Sequence, residues 1–342
     1  MTSSYDDVLK DQIMALLGGV TILKMERLPT SGNNRLYLVD FARERFVAKH
    51  YFTHAEDKRD RLNAEFSFVS FAFNNGIDCL PRPVARDQKN NLAIYSFVKG
   101  RKPDVSDVTG AAVTAALDFL IKLNRCRDKI GKDLPDASEA CFSIKAHIDL
   151  VEKRINRLLG ITDLSVGQFV KEDLVPAWTA IKKEILFEAK SRGIDEDEDL
   201  PGPNRILSPS DFGFHNALIG DNGKFSFLDF EYAGWDDPAK TVGDFFSHLA
   251  LPVPVENLGV FARGVAGLTS DPKKTLLRIG LLMRLYRIKW CCIALNHFLS
   301  MDGERRRFAG HDVDQAKEEQ LVKARKLLDS MENLNGACHG LY

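Results

Sequence analysis

The feature that most constrains this chain is a change of hydrophobic period about one hundred residues in. Before residue 99, short runs rich in β-branched and aromatic residues alternate with polar turns; beyond about 105, long helical spacings take over. A helical stretch at 5–17 leads to strand-like runs at 20–28, 35–41 and 45–51, separated by SGNN at 31–34 and ARE at 42–44. The spacing predicts a helix over 58–74, with Leu62, Phe66, Val69 and Phe73 on one face and Gly76 ending it. Two more strands are predicted at 83–87 and 92–98. Helical patterns then fill 108–128, 143–159 and 166–191. Short strands at 205–208, 217–219 and 225–228 enclose a GDNG turn at 220–223, and 239–334 is mainly helical. The expectation is an α+β chain in two parts. Residues 1–99 form a small antiparallel-sheet lobe with one main helix, and 100–342 form a larger helical lobe.

Composition excludes several function classes. A formal net charge of −1 over 342 residues supplies no positive field for a nucleic-acid backbone. The most apolar stretch, 279–299, is broken by Arg284, Arg287 and Lys289, so it does not read as a membrane span. The start, MTSSYDDVLKDQ, is polar and acidic, unlike a secretory signal. None of the six cysteines forms a C-x-x-C pair, and Cys291 and Cys292 are adjacent, which suits reduced core thiols in a cytoplasmic protein. The acidic run 195–199 reads as a solvated loop.

The densest chemical signal lies at 207–238, LSPSDFGFHNALIGDNGKFSFLDFEYAGWDDP. Asp211 and Asn216 stand five apart on a loop entering a strand, and Asp229 follows the second strand of the hairpin. A hairpin brings its ends together, so the three side chains can meet. Phosphoryl transfer to an alcohol needs such a set: a carboxylate for the hydroxyl proton, and hard oxygen ligands to hold Mg²⁺ against the phosphates.

This pattern resembles that of the aminoglycoside phosphotransferase and choline kinase-like enzymes, relatives of protein kinases. Their H-x-D-x-x-x-x-N, hairpin, (I/L)-D-(F/W)-E and downstream G-D-P correspond here to SPSDFGFHN, LDFE and WDDP. The resemblance implies a two-lobed kinase-like fold, ATP and Mg²⁺ as cofactors, and a small-molecule hydroxyl acceptor. It implies Asp211 as catalytic base, Asn216 and Asp229 as magnesium ligands, and 236–238 with Asp244 as support for the loop. In the upstream half, Lys49 would hold phosphates and Glu65, sixteen residues on, would orient it. Ser31, Gly32 and Asn33 of the first turn would lie over the phosphates. The backbone of Ser96, Phe97 and Val98 would take the adenine edge. Glu231 would touch the acceptor or support the metal, and His215 would pack the loop or bond backbone. Ser208 and Ser210 lack a base partner that would make them nucleophiles.

The sequence departs from the family pattern at Pro209, where histidine is usual, which puts the geometry of the loop at issue. No G-x-x-x-x-G-K-[ST] motif exists, so a P-loop mechanism is disfavoured. Two other readings stay open: a kinase-fold scaffold without turnover, and a protein kinase. GWDDP follows Asp229 within nine residues, leaving no long activation segment, and this favours a small acceptor. Sugar, amino sugar, aminoglycoside and amino alcohol remain possible acceptors.

Overall fold

The structure, a computed structural model, describes residues 5–29, 34–53, 59–130, 134–299 and 315–341. Ser31, Gly32 and Asn33, expected over the phosphates, lie outside the described residues. Helix α1 (Tyr5–Leu16) stops at Gly18 and Gly19, both in the left-handed region. Strands β1 (Lys24–Leu28), β2 (Arg35–Asp40), β3 (Arg45–His50), β4 (Pro83–Asp87) and β5 (Leu92–Ser96) form one antiparallel sheet in the order β1-β2-β3-β5-β4. The first strand is shorter than the predicted 20–28, because the double-glycine turn leaves Val20 and Leu23 exposed.

The two-residue period divides the sheet's faces. Tyr37, Val39, Phe46, Ala48, Leu92 and Ile94 pack with Leu9 and Ile13 of α1. Tyr51, Ala93 and Tyr95 join a second cluster with α2 (Arg61–Asn74). Asp60 caps α2, accepting the Asn63 N–H at 3.0 Å. Its buried face differs from the predicted one. Leu62, Glu65, Phe68, Val69 and Ala72 point inward, while Phe73 is exposed. Glu65 has a buried cation to meet, so a charged residue occupies the centre of the inward face.

The remaining α-helices among the described residues are α3 (Gly110–Arg125), α4 (Ile144–Leu158), α5 (Leu164–Phe169), α6 (Val175–Ser191), α7 (Pro238–Ser247), α8 (Leu258–Ala266), α9 (Pro272–Leu295), α10 (Gln315–Asp329) and α11 (Met331–His339). A π-helical turn, Val170–Leu174, joins α5 to α6 just before Pro176, which has no N–H to continue the regular ladder. Two short ribbons sit among these helices. One pairs β6 (Ile206–Ser208) with β9 (Gly234–Asp236), the other β7 (Ala217–Ile219) with β8 (Phe225–Phe227). The fold is thus the expected α+β, two-lobed kinase-like one. All six cysteines are free thiols, four of them buried. No helix among the described residues is long and apolar enough to cross a membrane.

A phenylalanine cluster ties the lobes together. Phe68 of α2 meets Phe230 at 5.1 Å between ring centroids, and Phe119, Phe212, Phe227 and Phe245 continue it inward. Every residue of α7 is buried, and α7 packs on α9. Their approach depends on Gly243, where an added Cβ would lie 2.4 Å from the Tyr286 ring. Alanine in a helix gains about 1 kcal/mol over glycine, but overpacking a rigid core costs about 1–3 kcal/mol. Gly243→Ala is therefore expected to lower the urea midpoint rather than raise it.

Candidate active site

The chain from β6 to β8 builds the site. After β6, Ser210 takes a left-handed conformation with φ 66°, and the Asp211 N–H donates to the Pro209 carbonyl at 3.0 Å. A 3₁₀ turn, Phe214–Asn216, closes with the Asn216 N–H on the Gly213 carbonyl at 3.1 Å. Asn216 Nδ2 donates back to the Asp211 carbonyl at 3.1 Å. At the far end of the hairpin the Leu228 N–H donates to the Asn216 carbonyl at 2.8 Å. Asp229 therefore follows directly on the residue opposite Asn216. It too is left-handed, φ 65°, a strained choice for a non-glycine residue that clusters at functional sites.

Pro209 stands where the resemblance expects histidine, and hydroxyls and an ammonium hold the loop instead. The Ser210 N–H and Thr241 Oγ1 both donate to Ser208 Oγ, at 3.1 and 3.0 Å. Lys240 Nζ donates to Ser210 Oγ at 2.9 Å. Neither serine is placed as a nucleophile. Lys240 also bonds Asp236 at 2.6 Å and lies 3.6 Å from Asp244. Asp244 in turn accepts from Lys289 at 2.9 Å and from Trp290 Nε1 at 2.7 Å. Asp236 at the end of β9 and Asp244 of α7, the latter held by Lys289 and Trp290 of α9, thus brace the loop through Lys240.

The N-terminal lobe adds Lys49 of β3, whose ammonium is buried between two carboxylates. Its Nζ donates to Glu65 Oε2 at 2.6 Å and to Asp229 Oδ1 at 2.5 Å. Glu65 is fixed further, accepting from the Tyr51 hydroxyl at 2.7 Å and the Phe230 N–H at 3.2 Å. Burial alone would lower Lys49, but Asp229, Glu65 and Glu231 hold its pKa well above the usual value. Burial raises Asp229 to about 6, with Glu231 and Glu65 adding to it and Lys49 opposing.

Glu231 is held by buried side chains of the sheet lobe. Its oxygens take Arg61 Nη1 at 2.6 Å and Asn34 Nδ2 at 2.5 Å, and Arg61 also donates to the Tyr232 hydroxyl at 2.7 Å. This buried clamp joins the lobes.

Of the three residues expected to meet adenine, Ser96 gives its N–H to the Arg82 carbonyl at 2.9 Å and Phe97 to the Arg45 carbonyl at 3.3 Å. Val98 is the one without a main-chain partner among the described residues.

Around Asp211 the structure joins His215 to a second histidine, His248, that the sequence did not signal. His215 Nε2 and His248 Nε2 lie 3.5 and 3.6 Å from Asp211 Oδ1. The two rings stack at 3.5 Å between centroids and 10° between planes, and Trp290 packs against His248 at 4.3 Å. His215 packs the loop as expected but bonds no backbone among the described residues, where neither ring nitrogen has a hydrogen-bond partner. Burial would raise Asp211; His215, then His248 and Lys289, instead hold it well below the usual carboxylate range. His248, just beyond α7, carries no sequence signal of its role.

The profile of the phosphotransferase enzyme family, APH, matches residues 24–267, which include Lys49, Glu65, Asp211, Asn216 and Asp229. The chain belongs to that family. Membership makes it, by class, an ATP-dependent small-molecule kinase, as the resemblance implied. Solved structures share the fold at low identity. The spectinomycin phosphotransferase APH(9)-Ia, in complex with ADP and spectinomycin, is 14% identical, covering 97% of this chain and 98% of its own, with TM-score 0.61. The choline kinase LicA from Streptococcus pneumoniae is 14% identical, covering 96% and 100%, with TM-score 0.59. A choline/ethanolamine kinase family protein from Mesorhizobium loti is 15% identical, covering 98% and 99%, with TM-score 0.61. A search of curated protein sequences gave no significant match.

Proposed function

We propose that the chain transfers the γ-phosphate of ATP to a hydroxyl of a small molecule in the cleft between residues 1–99 and 100–342. The observation that carries this reading is Lys49, whose ammonium bridges Glu65 of the sheet lobe and Asp229 of the helical lobe at 2.6 and 2.5 Å. It is a fixed positive charge next to a carboxylate, where phosphates are to be held. Val98 N–H is left for the nucleobase. Asp211, on the same loop as Asn216, is the base for the acceptor hydroxyl.

The donor set fits Mg²⁺. Asn216 spends Nδ2 on the Asp211 carbonyl and keeps Oδ1, and Asp229 engages Lys49 through Oδ1 only. Two hard oxygens on one side of the cleft suit that ion. Bound there, it would neutralise phosphate charge. The protein's own part is positioning: Lys49 orients the phosphates, the Glu231–Arg61–Asn34 clamp sets the lobe separation, and the braced loop fixes Asp211. The retained Lys49–Glu65–Asp229 arrangement speaks against an inactive scaffold, and the short path from Asp229 to 236–238 against a protein kinase.

The test is calorimetry of ATP binding with and without Mg²⁺. Asp229→Ala is expected to weaken the Mg²⁺-dependent affinity about tenfold or more, at least the loss usual for a residue that only supports a metal ligand. Equal affinities for variant and parent under both conditions would remove Asp229 from the metal site.

A further inference from the structure

Resting on Asp211 as the base, we propose that the acceptor is an uncharged, hydroxyl-rich small molecule. We further propose that His248 selects it by donating its Nε2–H to an acceptor oxygen. Any hydroxyl that reaches the Asp211 carboxylate must also come close to the two imidazoles beside it, because His215 and His248 present Nε2 at 3.5 and 3.6 Å from Oδ1. Those separations are too long for hydrogen bonds, so the His248 Nε2 position is open to a ligand. Its tautomer is set from behind. His248 Nδ1 accepts the Ala250 N–H at 3.2 Å, which leaves the proton of the neutral ring on Nε2. Burial, with His215 adding, lowers His248 to about 3, so the ring stays neutral at ordinary pH. The recognition group beside the base is thus a donor, which suits a hydroxyl oxygen and repels an ammonium.

The carboxylates around it point the same way. Glu139 is held by Arg154 and has Lys289 at 3.9 Å. Asp244 is held by Lys289 and Trp290, Asp236 by Lys240, and Glu231 by Arg61 and Asn34. Each already carries its countercharge, so none is spare for a cationic acceptor. Trp290, the aromatic next to His248, is buried and gives Nε1 to Asp244, so it offers no open face for an ammonium.

Asp211, His215 and His248 also bring their ligand atoms within 4.8 Å of one another, as a metal site would. The ring geometry argues otherwise. Two rings 3.5 Å apart and 10° from parallel cannot both aim an in-plane lone pair at one ion. The stack makes a flat wall.

The test uses the full chain with Mg·ATP and acceptors in matched pairs: glucose against glucosamine, with N-acetylglucosamine as an uncharged control, and glycerol against choline. The uncharged members are expected to give kcat/KM about tenfold or more above the charged ones. His248→Ala should raise KM for the uncharged acceptor about tenfold while leaving KM for ATP in place. His248→Gln, which keeps an N–H donor, should recover part of the loss. A preference for the ammonium members overturns the proposal, as does a selectivity unmoved in a His248→Ala protein with the parent's melting temperature. Should no acceptor turn over, calorimetry with a non-hydrolysable ATP analogue decides. Tighter binding of the uncharged members supports the proposal; tighter binding of the charged ones, or of none, overturns it. Slow ATP hydrolysis by water, lost in Asp211→Asn, reads the catalytic assignment independently of any acceptor.

Discussion

Asp211→Asn should reduce phosphoryl transfer about 10²- to 10⁴-fold, the usual worth of a positioned general base, while ATP binds as before. Asparagine keeps the shape and the main-chain carbonyl that receives Asn216 Nδ2, but removes the carboxylate proposed to take the proton. The carboxylate sits apart from the Lys49–Glu65–Asp229 bridge, whose bonds do not involve it, so the nucleotide half of the site should be untouched. The environment also dictates when the proton moves. Held well below the usual range by His215, His248 and Lys289 against the effect of burial, Asp211 is a weak base. It can accept the proton only once bonding to phosphorus has made the hydroxyl acidic. Steady-state kinetics and calorimetry on the same preparation check both halves. Retention of near-normal turnover removes Asp211 as base, and a parallel loss of ATP affinity would mean the loop had collapsed.

The grouping of Asp211, Asn216 and Asp229 was legible because it follows from short-range spacing. Asn216 and Asp229 meet through one hairpin, and the GDNG turn announced it. Lys49 and Glu65 were readable from the order of one strand and one helix, although the inward face of α2 was misjudged. A glutamate counts as polar in a periodicity reading, and only its buried lysine explains its position. The partners of Glu231 and Asp211 were not readable. Arg61 and Glu231 are 170 residues apart, and His248 reaches Asp211 from beyond α7. Such contacts depend on how packed elements cross, which local pattern does not encode. The departure at Pro209 was visible in sequence, but its compensation was not. The hydroxyls of Ser208, Ser210 and Thr241 and the ammonium of Lys240 meet only after α7 docks beneath the loop.

That docking gives the largest expected effect on stability. Lys240 is 1% exposed and bonds Asp236, which is fully buried, at 2.6 Å. Removing one partner of a buried ion pair leaves an uncompensated charge and costs about 3–5 kcal/mol, a large share of the roughly 5–15 kcal/mol that holds a typical domain folded. Lys240→Ala should therefore lower the denaturant midpoint sharply and also remove the ammonium that bonds the Ser210 hydroxyl next to Asp211. Its pH dependence follows from Asp236. Burial raises that carboxyl to about 6 even with Lys240 present, from 3.8 for the free group. The folded state then binds more protons than the unfolded state between those values. In the parent, this group's contribution to stability falls as pH rises through that window and is level above it. Without the ammonium, the folded-state value moves higher still, so the decline continues past pH 6. The deficit of Lys240→Ala relative to the parent should accordingly be larger at pH 8 than at pH 5, measured by urea unfolding at both. A deficit that does not change with pH would place the lost stability in the packing of the lysine stem rather than in the charge on Asp236.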